Sequence, residues 1–302
     1  IHQQFLHQSI IMSSTTSLAP TGASHGQSSA ASVRLPASQR VSHYDLALVP
    51  DLTTFTFQGH VVMDLTLTQS TKEIVLHTAD CTFENVKETS KPKTVIRNKS
   101  EQTFACESLT IDTKAQTVTF QFADTLTEGE YKLDIHYDGV LNDQLAGFYR
   151  SSYKAADGST KYMACTQFEA TDCRRAVPCI DEPAAKATWD VTLFVSSHLT
   201  AVSNMPILER ITVKSSKEEG EEVARGMKFE TGLVKYTYYT SPIMSTYLLA
   251  FVIGEFDYIS SVSASGTEVR VYTGLGKTAL GRFSLDTATK ALDFYNQYFG
   301  IH

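Results

Sequence analysis

The chain has 302 residues, 42 % hydrophobic and 20 % charged, enough for one large or two ordinary domains with real cores. Its 33 acids against 26 Lys and Arg give a formal charge of −7, which argues against nucleic acid or an anionic membrane as the main partner, since both need a basic face. No apolar run approaches the ~20 residues of a membrane span; the most apolar stretch, "YLLAFVIGEF" (Tyr247–Phe256), has the length of a buried strand.

Residues 1–40 differ in kind from the rest. No acid occurs up to Ser42, and Ser, Thr, Ala and Gln dominate. Such a segment cannot bury enough apolar area to offset its ordering entropy, so a disordered leader is expected. No basic region precedes an apolar core with a cleavage site, which argues against a secretory signal. The lack of acids leaves a mitochondrial presequence open, although only Arg34 and Arg40 supply basic charge.

From Val41 onward the apolar period is two. "FTFQGHVVMDLTL" places Phe55, Phe57, Val61, Met63, Leu65 and Leu67 on one face, with Gly59 interrupting as a bulge does. "TVTFQF", "YKLDIHY", "WDVTLFV", "LVKYTYYT" and "EVRVYT" repeat the pattern. Between them stand the turn signals "NKSEQ", "TLTEGE" and "AADGST", and the acidic "SKEEGEE", expected as a solvated hairpin tip. A dozen or so short strands at this spacing predict a mainly β, antiparallel sheet assembly. After Gly276 the period changes. Leu280, Phe283, Ala288, Ala291, Leu292, Tyr295 and Phe299 form the stripe of an amphipathic helix, with a break expected near Ser284–Leu285. Such a helix either closes back on the sheets or opens a second domain.

The five cysteines form no CxxC pair and read as free thiols of a reducing compartment. His43, His60, His77 and His136 lie in strand-like segments without ligand spacing, so strand-face residues are expected rather than metal ligands. "VYTGLGKTALG" holds glycines and a lysine but not the spacing of a phosphate loop.

One stretch gathers charge: "QFEATDCRRAVPCIDEPAAKATW", Gln167–Trp189. Asp172, Arg174, Arg175, Asp181, Glu182 and Lys186 can form an ion-pair network that pins a long loop, stiffened by Pro178 and Pro183. Gln167 and Glu169 stand two apart, so in an extended segment both side chains point to one side. An amide and a carboxylate together suit a cation with several N–H donors, such as an ammonium, though the pair by itself is an unspecific signal.

The same stretch resembles the signature loop of the zinc aminopeptidases related to aminopeptidase N and puromycin-sensitive aminopeptidase. "AGFYRSSY" (Ala146–Tyr153), "YYTSPIMSTYLLAFVIGEFDYI" (Tyr238–Ile259) and "VSHYDLALVPDL" match that family in the same order, closest to its cytosolic and fungal puromycin-sensitive-like members. The resemblance implies a saddle-shaped antiparallel β domain over residues 41–260. The start of a thermolysin-like α/β catalytic domain would follow over residues 261–302. It implies that Glu169 binds the substrate's α-ammonium and that Gln167 lines the pocket beside it. The partners implied are peptide N-termini and the remaining domains of the same enzyme, with no nucleic acid and no membrane span, in the cytoplasm.

No histidine of this chain stands in an H-E-x-x-H pattern, and the G-A-M-E-N motif is absent. No catalytic or metal-ligating residue is therefore expected within these 302 residues. The family's zinc would be held by ligands outside them, and the segment alone is expected to be inactive. A non-catalytic β module that binds partner proteins, or an assembly surface carried by the apolar stripe of Lys277–Phe299, remain the alternative readings.

Overall fold

The computed structural model describes residues 34–83, 94–155, 157–214, 225, 227–229 and 232–301. Most of the expected leader (1–33) and the "SKEEGEE" stretch (216–222) lie outside them. The last residues of the expected leader belong to the fold. The Leu35 amide donates to the Glu182 carboxylate at 2.9 Å, and the first strand begins at Gln39.

Alternating side chains give strands because one face can be buried while the other meets water. Eleven strands join in one sheet. From one edge the order is Ile207–Val213, Leu233–Tyr238, Thr188–Ser196, Gln39–Asp51, Thr56–Leu67, Gly129–Val140, Thr94–Asn98, Thr103–Asp112, Thr117–Leu126 and Thr71–His77. Cys81–Thr82 also pairs with Gly129–Val140. A second sheet runs Thr200–Ser203, Phe251–Gly254, Thr160–Gln167, Gly147–Lys154. The fold is mainly β, as the period implies. One pair departs from the antiparallel rule: Gln39–Asp51 and Thr188–Ser196 run parallel, His43 opposite Thr188. These strands are separated by most of the domain, so no hairpin constrains their direction.

The strand Thr188–Ser196 alternates as expected but is buried on both faces. Trp189, Val191, Leu193 and Val195 enter the main core, while Phe194 joins Ala47, Val49, Val213, Met227, Phe229 and Leu233 on the opposite face.

Gly59 is not a bulge. It pairs in unbroken register with Leu48 and with Tyr137, and the bulge falls instead between Val41 and His43. A side chain at Gly59 would occupy the place of the Tyr137 ring, and one at Gly139 that of the Phe57 ring. The two cross-strand neighbours thus cover each other's glycine, edge to face at 6.3 Å.

"YLLAFVIGEF" is only partly strand. Thr246–Leu248 forms a 3₁₀ turn and Phe251–Gly254 the buried strand. Phe256–Val262 then pairs with Glu268–Gly274, so the expected boundary after residue 260 falls inside a hairpin.

The terminal helix, Arg282–Phe299, is unbroken; the irregularity is the 3₁₀ turn Thr278–Gly281 before it. Leu285 is its buried residue, and Asp293 accepts the amides of Ala264 and Ser265 at 2.8 and 3.0 Å, tying the helix to the hairpin turn. That orientation leaves Leu280, Phe283, Tyr295 and Phe299 exposed, so the expected stripe is only partly covered. Among the described residues no helix is long and apolar enough to cross a membrane.

Candidate functional site

The strand Thr160–Gln167 ends with Gln167 opposite Gly147. The next side chain, Phe168, is 2 % exposed and meets Phe251 at 6.1 Å between ring centroids. With Phe168 driven inward, its neighbours Gln167 and Glu169 are both exposed, the alternation expected of an extended segment. Among the described residues neither side chain has a hydrogen-bond or ion-pair partner. The Glu169–Ala170 peptide is cis. The Asp172 amide donates back to the Phe168 carbonyl at 2.8 Å, closing the turn that leads into Cys173–Arg175.

Beneath this tip lies a buried polar core. Arg174 donates through Nε to Asp181 Oδ2 at 3.0 Å, through Nη2 to the Asp181 carbonyl at 3.1 Å, and through Nη1 to Gln116 at 3.2 Å. Asp181, 1 % exposed at its side chain, also accepts the Thr246 hydroxyl at 2.6 Å. Arg175 pairs with Asp172 at 2.7 Å and with Asp80. Four of the six residues expected in the network thus form ion pairs. Glu182 instead receives the Leu35 amide, and Lys186 pairs with no carboxylate among the described residues.

Distant strands complete the mount. His77 exchanges backbone hydrogen bonds with Cys179, and its Nδ1 accepts the Asp181 amide at 3.1 Å. Burial and the Arg174 charge, against the opposing carboxylates, depress the His77 pKa to about 4, so the ring is a neutral acceptor. The Tyr44 hydroxyl accepts the Ile180 amide at 3.1 Å, and the Tyr137 hydroxyl donates to the Ala176 carbonyl at 2.8 Å. Ser245 donates to the Pro183 carbonyl at 2.6 Å, and Ala187 bridges to Met244. The signature loop and the "YYTSPIMST" stretch are therefore packed as one piece. His77, Tyr137, Tyr44, Thr246, Asp80 and Gln116 carry no local signal of this role, since each is brought to the loop from a distant segment.

All five cysteines are unpaired. Burial pushes Cys81 up to about 12 and Cys106 to about 11, which keeps both as unreactive thiols. Among the described residues two groups bring ligand-type atoms together: Cys173, Cys179 and Asp181, and His60, Asp134 and His136. In the first, burial raises both thiols and Arg174 and Thr246 already occupy the carboxylate, which makes it part of the loop's packing. His43 hydrogen-bonds Thr188 at 2.7 Å and faces Asp190 at 3.4 Å.

A mainly β domain that exposes Gln167 and Glu169 on either side of the buried Phe168, on a charge-locked loop, matches a known family. Residues 40–248 match the peptidase M1 N-terminal domain, and the chain belongs to that family. It is similar to the puromycin-sensitive aminopeptidase of Caenorhabditis elegans, 38 % identical over 268 residues that make up 89 % of this chain and 26 % of that protein. Aminopeptidase M1 of Arabidopsis thaliana is 39 % identical, over 89 % of this chain and 28 % of that protein. Aminopeptidase 2 of Candida albicans is 37 % identical, over 88 % and 26 % respectively. The chain spans about a quarter of the length of these relatives.

Proposed function

We propose that this chain supplies the amine-binding carboxylate of a zinc-dependent aminopeptidase that removes N-terminal residues from peptides. Glu169 holds the substrate's α-ammonium and Gln167 lines the pocket beside it. The observation that carries the reading is an exposed, unpartnered carboxylate and amide flanking a buried Phe168, on a loop immobilised from beneath. A rigid carboxylate selects a peptide's N-terminus because the ammonium brings a full opposite charge and several N–H donors, where an internal peptide N–H brings one neutral donor. The sheets up to Gly254 are the supporting β domain, and the segment that opens with the hairpin of Phe256–Val262 and Glu268–Gly274 begins the catalytic domain. The chain has no H-E-x-x-H pattern, so the zinc and the water it activates belong to segments outside it. The cytoplasm is the setting that five unpaired thiols suit.

In a longer protein that includes this segment and the peptidase motif, Glu169→Gln removes one partner of the charge pair, a loss of ~2–5 kcal/mol. That corresponds to a fall in kcat/KM for aminoacyl amides of about 30-fold or more. An unchanged kcat/KM refutes the role. The 302-residue chain alone should release no amino acid from the same substrates, with or without added zinc.

A further inference from the structure

We propose that His60, Asp134 and His136 form a binding site for a divalent ion of the zinc–copper class. The strands Thr56–Leu67 and Gly129–Val140 pair with His60 directly opposite His136. Asp134 stands two residues before His136 and so shares its face of the sheet. His60 Nε2 lies 2.9 Å and His136 Nε2 3.9 Å from the same oxygen, Asp134 Oδ1. Two imidazoles and one carboxylate are the donor set that Zn²⁺, Cu²⁺ and Co²⁺ favour over Ca²⁺ or Mg²⁺. Burial alone would raise the Asp134 carboxyl, but the His60 hydrogen bond and the Arg97 charge act against it, and the group lies below the usual carboxylate range. Arg97 approaches the other oxygen, Oδ2, at 3.6 Å and leaves Oδ1 to the imidazoles.

The ion-free arrangement has a definite proton order. Arg225 Nε donates to His60 Nδ1 at 3.1 Å, so Nε2 carries the ring proton and donates it to Asp134. An ion at Nε2 requires the other tautomer, with the proton on Nδ1. Arg225 must then release His60 and keep only Asp45, to which its Nη1 donates at 2.7 Å. The two rings stack at 4.2 Å with 19° between their planes, and bringing both lone pairs onto one ion requires that angle to open. His136, whose side chain is 23 % exposed against 9 % for His60, is the more accessible of the two rings. Metal and Arg225 therefore compete for His60.

The test is Zn²⁺ titration of the whole chain by calorimetry at pH 7.5, with Co²⁺ absorption as a second readout. One equivalent bound by the wild type should disappear in His136→Ala and Asp134→Ala, while Arg225→Ala binds about tenfold more tightly. Identical stoichiometry and affinity in wild type and His136→Ala overturn the proposal. Independently of any variant, one equivalent of Zn²⁺ should slow diethylpyrocarbonate modification of His60 and His136 about tenfold, read by peptide mass. Unchanged modification at both rings overturns it equally.

Discussion

Removing Asp181 tests whether the charged stretch is a structural lock. The Asp181 side chain is 1 % exposed and Arg174 11 %, so neither charge can be rescued by water. In Asp181→Ala the guanidinium keeps the Gln116 amide oxygen and one carbonyl, at 3.2 and 3.1 Å, but loses its counter-ion, and the Thr246 hydroxyl loses its acceptor. Breaking a buried pair from one side typically costs ~3–5 kcal/mol, roughly a fifth or more of the ~5–15 kcal/mol that holds a domain folded. Arg174→Ala should cost somewhat less, because the Asp181 carboxylate retains the Thr246 hydroxyl and the residue-174 backbone amide. The double variant Arg174→Met/Asp181→Leu removes both charges and should cost well under the sum of the single changes. Urea unfolding at pH 7 measures all of this through the single tryptophan, Trp189, which is buried and stacked on Tyr44 at 4.1 Å. A loss below ~1 kcal/mol in Asp181→Ala, or a double variant as unstable as the sum, refutes the lock.

Gly59→Ala puts a methyl where the Tyr137 ring lies, so the ring must move and release the Ala176 carbonyl. A loss of ~2–3 kcal/mol is expected in the same urea assay, against little effect for a change at the open Gly266 that preserves its conformation, such as D-Ala. Phe168→Ala opens a cavity beside Phe251 and should cost ~3–5 kcal/mol, with earlier proteolytic nicking near Glu169. His77 has its folded pKa depressed to about 4 from an ordinary 6.5, so its contribution is present above pH 6.5 and is lost as the pH falls towards 4. The wild type should lose about 3 kcal/mol more over that interval than His77→Asn, which cannot titrate there. Parallel pH profiles contradict the buried, neutral His77.

Several elements were legible from local pattern. Strands such as Thr117–Leu126 and Gly129–Val140 show the expected alternation because a side chain's face depends only on its own backbone. The loop from Gln167 to Trp189 was recognisable because its members are contiguous. Less legible was Gly59, which reads as a defect until Tyr137 is seen to cover it. The terminal helix was visible as a helix, but its inward face was fixed by Leu285 and Asp293 meeting a hairpin that the helical period says nothing about.

The sequence by itself determined the mainly β architecture, the terminal helix and the family of the chain, all properties of neighbouring residues. Only the tertiary structure decided the parallel pairing of Gln39–Asp51 with Thr188–Ser196, the support that Tyr137 and His77 give the loop, and the meeting of His60 with Asp134 and Arg225, 74 and 165 positions away. Those depend on which strand lies beside which and in what register, and a one-residue slip would send every such side chain to the opposite face.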